Sequence, residues 1–220
     1  MLAETGLLKK IWILGGGKFG RRAFVQIRRY FPEAAVTVVD NSSEVEEFGN
    51  VAIVCEDGIN WLVAHLRRDS EVDMIIPAIP VHVVGEWLKR KWFRKYLFSP
   101  ASLPRSFIEK LPNPIFAGEN MVYVSHADFI CPDNCAEPAS MCSFTGRKRG
   151  RDMFRLLREF RVAGTSPLVV RSHQLLPGVG GIHPRDLWGL ADRIDLQPGS
   201  FYIICTACRC HGVVEGVTIS

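Results

Sequence analysis

The sequence predicts an α/β protein: a mostly parallel sheet in the first hundred residues, followed by a Cys-rich C-terminal α/β part. Three observations lead there. Short apolar runs alternate with segments of helical period, a glycine hexad joins the first run to the first helix, and six of the seven cysteines lie between positions 131 and 210. A chain of 220 residues, 47% apolar and 23% charged, can bury a core, which excludes a disordered class. No apolar run approaches the roughly 18 residues that cross a bilayer, and Pro77 and Pro80 interrupt the longest candidate, Asp73–Val84. No membrane span is expected. A net charge of +4 is too small to argue a nucleic-acid partner.

At the start, Lys9 and Lys10 precede only four apolar residues, Ile11–Leu14, before three glycines, which is a strand and not an export signal. A cytoplasmic location follows, where thiols stay reduced. Clustered cysteines are then metal ligands or redox groups more often than disulfides, and an odd total also argues against full pairing.

The strand Ile11–Leu14 runs into Gly15-Gly16-Gly17-Lys18-Phe19-Gly20 and then Arg21–Tyr30, where Ala23, Phe24, Ile27 and Tyr30 recur at helical spacing. The helix ends before Pro32, and a second strand, Ala35–Val39, delivers Asp40 twenty residues beyond Gly20. In this pattern Gly15 permits a tight turn, Gly17 lets the backbone approach a pyrophosphate, and Gly20 allows close helix–strand packing. The helix N-terminus offers its free N–H groups to phosphate. Asp40 would accept the adenine-ribose hydroxyls, which favours NAD over NADP. Strand, glycine turn, helix and acid together form a Rossmann-like unit.

The pattern continues through strand Val51–Val54, a turn at Glu56-Asp57-Gly58, helix Ile59–Arg68 and strand Val72–Ile76. On GGGKFG, Asp40, the Asp57-Gly58 turn and Asp73–Pro80, residues 10–80 resemble the TrkA-N or RCK nucleotide-binding domain that gates bacterial potassium channels and transporters. They are more distantly similar to the dehydrogenase-like domains of saccharopine reductases. That resemblance implies a Rossmann-type NAD(P)-binding domain over residues 1–100. It ends there: residues 101–220, with a cysteine cluster that the potassium-regulatory domains lack, read as a second, Cys-rich α/β domain continuing or abutting the same sheet.

Val81–Phe98 reads as a helix carrying Lys89, Arg90, Lys91, Arg94 and Lys95 beside Trp87, Trp92, Phe93 and Tyr96, a solvated face more than an RNA-stacking surface. Pro100, Pro104, Pro112 and Pro114 then mark a connector. Arg147–Arg161 is a second basic helix, with seven Arg or Lys against two acids.

Met121–Val124 and Phe129-Ile130 are strand-like and lead into Cys131-x3-Cys135-x6-Cys142, a loop able to fold around one ion. Cys205, Cys208, Cys210 and His211 form a tighter group behind the strand Ser200–Cys205. The metal-ligand candidates are therefore Cys131, Cys135, Cys142, Cys205, Cys208, Cys210 and His211, holding zinc or an iron–sulfur cluster. A redox dithiol at Cys205/Cys208 or Cys208/Cys210 and cysteines without chemistry are the competing readings. Between the groups, the run Pro167–His173 leads to a second glycine loop at Gly178, Gly180 and Gly181. Helix Pro184–Ile194 follows, with His183 at its cap and Asp186 in its first turn. His173 and His183 are the general acid–base candidates. A closing pair of strands, Gly212–Val214 and Gly216–Ile219, ends the chain.

The expected function is an NAD-linked oxidoreductase with a Cys-bound metal centre and a small-molecule or redox partner, working as a homodimer. The alternative is a nucleotide-sensing regulatory module with a structural zinc.

Overall fold

In the computed structural model, residues 8–42, 48, 51–92, 94–162, 166–194 and 197–220 are described, Ala52 by its backbone alone. Phe93 in the expected aromatic face lies outside them. Strand β1 (Lys10–Leu14) is buried from Ile11 to Leu14, on both faces, as a central parallel strand requires. It pairs in parallel with β2 (Ala35–Asp40) on one side and β4 (Met74–Pro77) on the other, and β3 (Ala52–Cys55) adds to β2. The resulting order is β3-β2-β1-β4. Helix α1 (Lys18–Tyr30) lays Ala23 and Ile27 on this sheet and starts three residues earlier than its apolar period implies, because extended Gly17 serves as its N-cap. Helix α2 (Gly58–His65) is capped by the Asp57 carboxylate, which accepts the Ile59 and Asn60 N–H groups at 3.0 and 2.8 Å.

Helix α3 (Val83–Trp92) is shorter than the expected Val81–Phe98. Its would-be C-terminal end is instead strand β5 (Phe98–Pro100), drawn off by long-range pairing: Phe98 lies opposite Ile219, and Leu97 and Ser220 exchange main-chain hydrogen bonds. The C-terminal residues do not extend the parallel sheet. They build a sheet of six strands, ordered β6 (Ile115–Phe116), β7 (Met121–Ser125), β12 (His211–Ile219), β11 (Phe201–Ala207) and β8 (Leu168–Arg171), with β5 also on β12. All its pairings are antiparallel except β8 with β11.

Three further expectations change. The closing pair is the single strand β12, in which Glu215 is paired to Ile204 and Met121 and makes no turn. The 147–161 segment is helical only in α5 (Met153–Glu159), because Lys148 bridges back to Met141. The glycine-rich stretch is a hairpin of β9 (His173–Leu176) and β10 (Val179–Gly181), not an open loop. Phe129-Ile130 is no strand, and Ile130 is 96% exposed.

Short α4 (Arg105–Ile108) and α6 (Pro184–Ala191), with Pro184 at its first position, complete the chain. The two sheets share an apolar core. Trp12, Leu14 and Ile75 reach it from the parallel sheet, Trp61, Trp87, Leu88 and Leu187 from the helices, and Ile204 and Val217 from β11 and β12. Ile75 of β4 and Ile182, just after β10, exchange N–H···O bonds of 2.9 and 2.8 Å, which ties the β9–β10 hairpin to the parallel sheet. No helix among the described residues is long and apolar enough to cross a membrane.

Candidate functional site

The glycine turn closes on the carboxyl end of the parallel sheet. Gly15, at φ +103°, donates to Val39 O at 2.7 Å, and a Cβ there would meet the Ala78 carbonyl at 2.6 Å. A Cβ on Gly20 would overlap the Gly15 carbonyl, whereas one on Gly17 meets nothing within 4 Å. The Asp40 carboxylate accepts Gly16 N–H at 2.6 Å and Ser42 N–H at 2.8 Å, so it bonds to the turn itself. Lys18 and Phe19 stand at the mouth, with the Phe19 ring exposed and Lys18 Nζ 5.8 Å from its centroid. A pocket of about 350 Å³ opens beside this turn. Phe19 and Ala23 of α1, Ile76–Pro80 at the carboxyl end of β4 and Gly178–Gly180 of the β9–β10 hairpin line it. It lies at the carboxyl ends of parallel strands, where open sheets bind ligands.

The cysteines divide. Cys205 faces inward from β11 among Val122, Met153, Val169 and Val214, and this burial pushes its thiol far up, so it joins no ligand group. Strand alternation is the reason: Cys205 points to the opposite face from Thr206. Cys208, Cys210 and His211, by contrast, form the β11–β12 turn and meet the Cys131–Cys142 loop. His211 Nε2 lies 3.4 Å from Cys131 Sγ, and its Nδ1 3.9 Å from Cys208 Sγ. Cys210 is within electrostatic reach of Cys135 and Cys131, and Cys131 of Cys142. Burial lowers the affinity of the His211 ring for a proton, raises the Cys131 and Cys208 thiols and lifts Cys210 to about 11. Cys142 goes the other way, because the Thr145 hydroxyl and the Thr145 and Phe144 N–H groups bond to its sulfur.

Main-chain donors hold two more of these sulfurs. Cys208 Sγ accepts from Cys210 N and His211 N at 3.4 and 3.2 Å, and Cys135 Sγ accepts from Glu137 N at 3.4 Å. Glu137, only 7% exposed, turns back to take the Arg209 and Cys210 N–H groups at 2.5 and 3.2 Å. Arg149 sits within electrostatic reach of Cys142, Cys210, His126 and His211, and all three of its guanidinium nitrogens are buried without a hydrogen-bond partner. Such a charge is costly unless negative charge faces it. As arranged, no group of three or more His, Cys, Asp or Glu among the described residues stands in a metal-holding geometry. The donor set and the orphaned guanidinium nonetheless fit a thiolate-bound metal, since four thiolates around zinc carry net negative charge.

The two regions touch. Asp133, inside the Cys131–Cys135 loop, receives Arg22 at its carbonyl (2.8 Å) and carboxylate (3.1 Å), and Lys18 lies 3.6 Å away. Cys135 O accepts Gly178 N–H at 2.9 Å and Gln174 Nε2 at 3.0 Å, while Gln26 bonds to Pro177 O. The cysteine loop therefore props the hairpin that walls the pocket.

His173 and His183 stack edge to face with ring centroids 4.5 Å apart. His173 Nε2 lies 3.1 Å from Asp186 Oδ2, and His183 Nδ1 lies 3.0 Å from Asp73 O. Both rings are thus engaged on the far side of the β9–β10 hairpin's base, outside the residues that line the pocket. A buried network escaped sequence reasoning: His82 links Glu215 (2.8 Å) to the Thr206 hydroxyl (2.9 Å), and Lys89 bonds the other Glu215 oxygen at 2.5 Å and Glu86 at 2.9 Å. It pins α3 to β11 and β12.

Residues 84–220, more than half of the chain, match the model of a family described as "Uncharacterized protein, C-terminal domain". The chain belongs to that family. The family segment starts inside α3 and takes in the whole second sheet and every clustered cysteine. Over 227 aligned residues the chain is 27% identical to a protein of Archaeoglobus fulgidus described as "Uncharacterized protein", covering 93% of this chain and 97% of that one. No solved structure matches. The resemblance of residues 10–80 to the TrkA-N/RCK domain and the Rossmann-type NAD(P)-binding superfamily is therefore corrected, because the family shown is another one. A glycine hexad between strand and helix is a steric solution that many parallel sheets reach, so it does not identify a lineage.

Proposed function

We propose that thiolates of the Cys131–Cys142 loop and the Cys208–Cys210 turn hold one metal centre, zinc or an iron–sulfur cluster. In this reading the centre works with a dinucleotide, NAD, at the glycine turn, making the protein an oxidoreductase. The observation that carries it is Arg149: three buried, unpartnered guanidinium nitrogens among cysteines call for the negative charge that a multi-thiolate site supplies. When bound, an iron–sulfur cluster would supply one-electron transfer and zinc a structural clamp or Lewis acid. The chain's own residues do the rest. Main-chain N–H groups steady the Cys135, Cys142 and Cys208 sulfurs, Glu137 fixes the 208–210 turn, and Asp133 sets the loop against α1 beside the pocket. Asp40, whose carboxylate accepts the Gly16 N–H, would be the carboxylate that meets the ribose at the turn.

The Asp133 tie favours a second reading, in which nucleotide occupancy is sensed and a zinc merely staples the loop. Elemental analysis and a visible spectrum of protein purified without oxygen, before and after NADH, separate the two. Iron with sulfide and visible absorbance bleached by NADH is the expected result. Colourless zinc protein would move the assignment to the sensing module, and metal-free protein would refute the centre.

A further inference from the structure

We propose that Arg158, Arg171 and Arg193 form a binding site for the phosphate group of a small phosphorylated ligand, separate from the cysteine centre. The guanidinium carbons of Arg155, Arg158 and Arg171 lie 5.7, 5.6 and 4.7 Å from the centroid of one ring, that of buried Phe154. Three cations thus crowd around a single apolar platform where α5 packs on β8, the last strand of the second sheet. Arg193, beyond α6, lies within electrostatic reach of Arg158: partial burial and then the repulsion of Arg193 lower the Arg158 proton affinity, against the pull of Asp186 and with Arg171 and Arg155 contributing. The acids nearby are already engaged. Asp152 faces Arg155 and Arg209, Glu159 faces Arg151, Asp192 faces Arg68, and Asp186 faces His173. Among the described residues no carboxylate pairs with Arg158, Arg171 or Arg193, and Arg171 Nε is buried without a partner.

Among the described residues Asp186, itself bonded to His173, is the one carboxylate acting on Arg158; like charges held together in such excess are relieved by an anion, and guanidinium forks match the oxygens of a phosphate two at a time. The surrounding ion pairs confine the excess charge to this spot, which suits one phosphate group and not the stripe that tracks a nucleic-acid backbone. The site neighbours the His173–Asp186 pair, since Asp186 acts electrostatically on Arg158.

The test is thermal stabilisation and calorimetry of the full chain with inorganic phosphate, at ionic strength held constant with chloride. Saturable stabilisation by phosphate is expected, weakened about tenfold or more by Arg158→Gln and by Arg171→Gln. Arg171→Lys, which keeps the charge, and Arg158→Gln, at an exposed position, guard against a folding defect. The control Arg105→Gln removes a cation paired to Glu109 and should change nothing. Equal effects of phosphate and chloride, or binding untouched by both Gln variants, would overturn the site. An oligonucleotide that binds through these arginines while phosphate does not would overturn the small-ligand assignment.

Discussion

Arg22 of α1 donates to both the carbonyl and the carboxylate of Asp133, 111 residues away, and so seats the first cysteine loop on the helix that follows the glycine turn. The ion pair is half exposed, so Asp133→Ala should reduce global stability by less than about 1 kcal/mol. Its local effect should be larger. Loosening the loop frees Cys135 O from Gly178 N–H, and amide exchange at Gly178 should accelerate well before global unfolding. Unchanged exchange there would mean that the tie does not support the pocket wall.

Glu215 is 4% exposed and serves both His82 and Lys89. Truncation in Glu215→Ala strands a half-buried cation and a buried imidazole, and should cost about 3 kcal/mol in urea unfolding. Burial alone would raise this carboxyl, but the His82 and Lys89 bonds outweigh it and hold it below its ordinary 4.5. The folded value lies under the unfolded one, so the site's contribution is complete above 4.5 and is lost as pH falls through the depressed folded value. Glu215→Gln should flatten that acid limb of the stability curve. An unaltered limb would show that other carboxylates set it.

Cys205 and Cys210 should behave as opposites although only four residues separate them. Cys205→Ala removes a fully buried thiol from the core of β11 and should cost about 1 kcal/mol while metal content stays at the wild-type level. Cys210→Ser should remove the metal. Equal metal loss in both variants would contradict the division of the cysteines.

At the turn, Gly17→Leu places its side chain in open space and should leave the melting temperature of the free protein within a few degrees, while abolishing stabilisation by NAD. Asp40→Ala should relax selectivity against NADP. Gly20→Ala, by contrast, drives a methyl into the Gly15 carbonyl and should fail to fold stably. A Gly17 variant that keeps its NAD-induced shift would remove the dinucleotide from this turn.

The parallel half was legible because its signals are local: apolar β1 between Lys10 and Gly15, the Asp57 cap two and three residues before its N–H donors, and Pro32 after α1. The second sheet was not, because its pairings are distant. Nothing near Phe98 announces that Ile219 will pull it out of a helix, and nothing near His82 announces Glu215, 133 residues on. In the site, spacing found the cysteines but not that Cys205 takes the core face of β11 while Cys208 and Cys210 lie in the turn beyond it. Thr206 and Cys205 are neighbours in the chain and belong to different surroundings. Glu137 and Arg149 carried no motif at all, and only their burial next to the sulfurs sets them apart.

The most direct test compares metal content per chain in wild type, Cys131→Ser/Cys210→Ser and Arg149→Met, all purified without oxygen. The account predicts one stoichiometric centre in wild type, its absence in the double variant, and weakened retention in Arg149→Met with partial rescue by Arg149→Lys. A wild-type protein free of metal, or one whose metal survives loss of both cysteines, would contradict it.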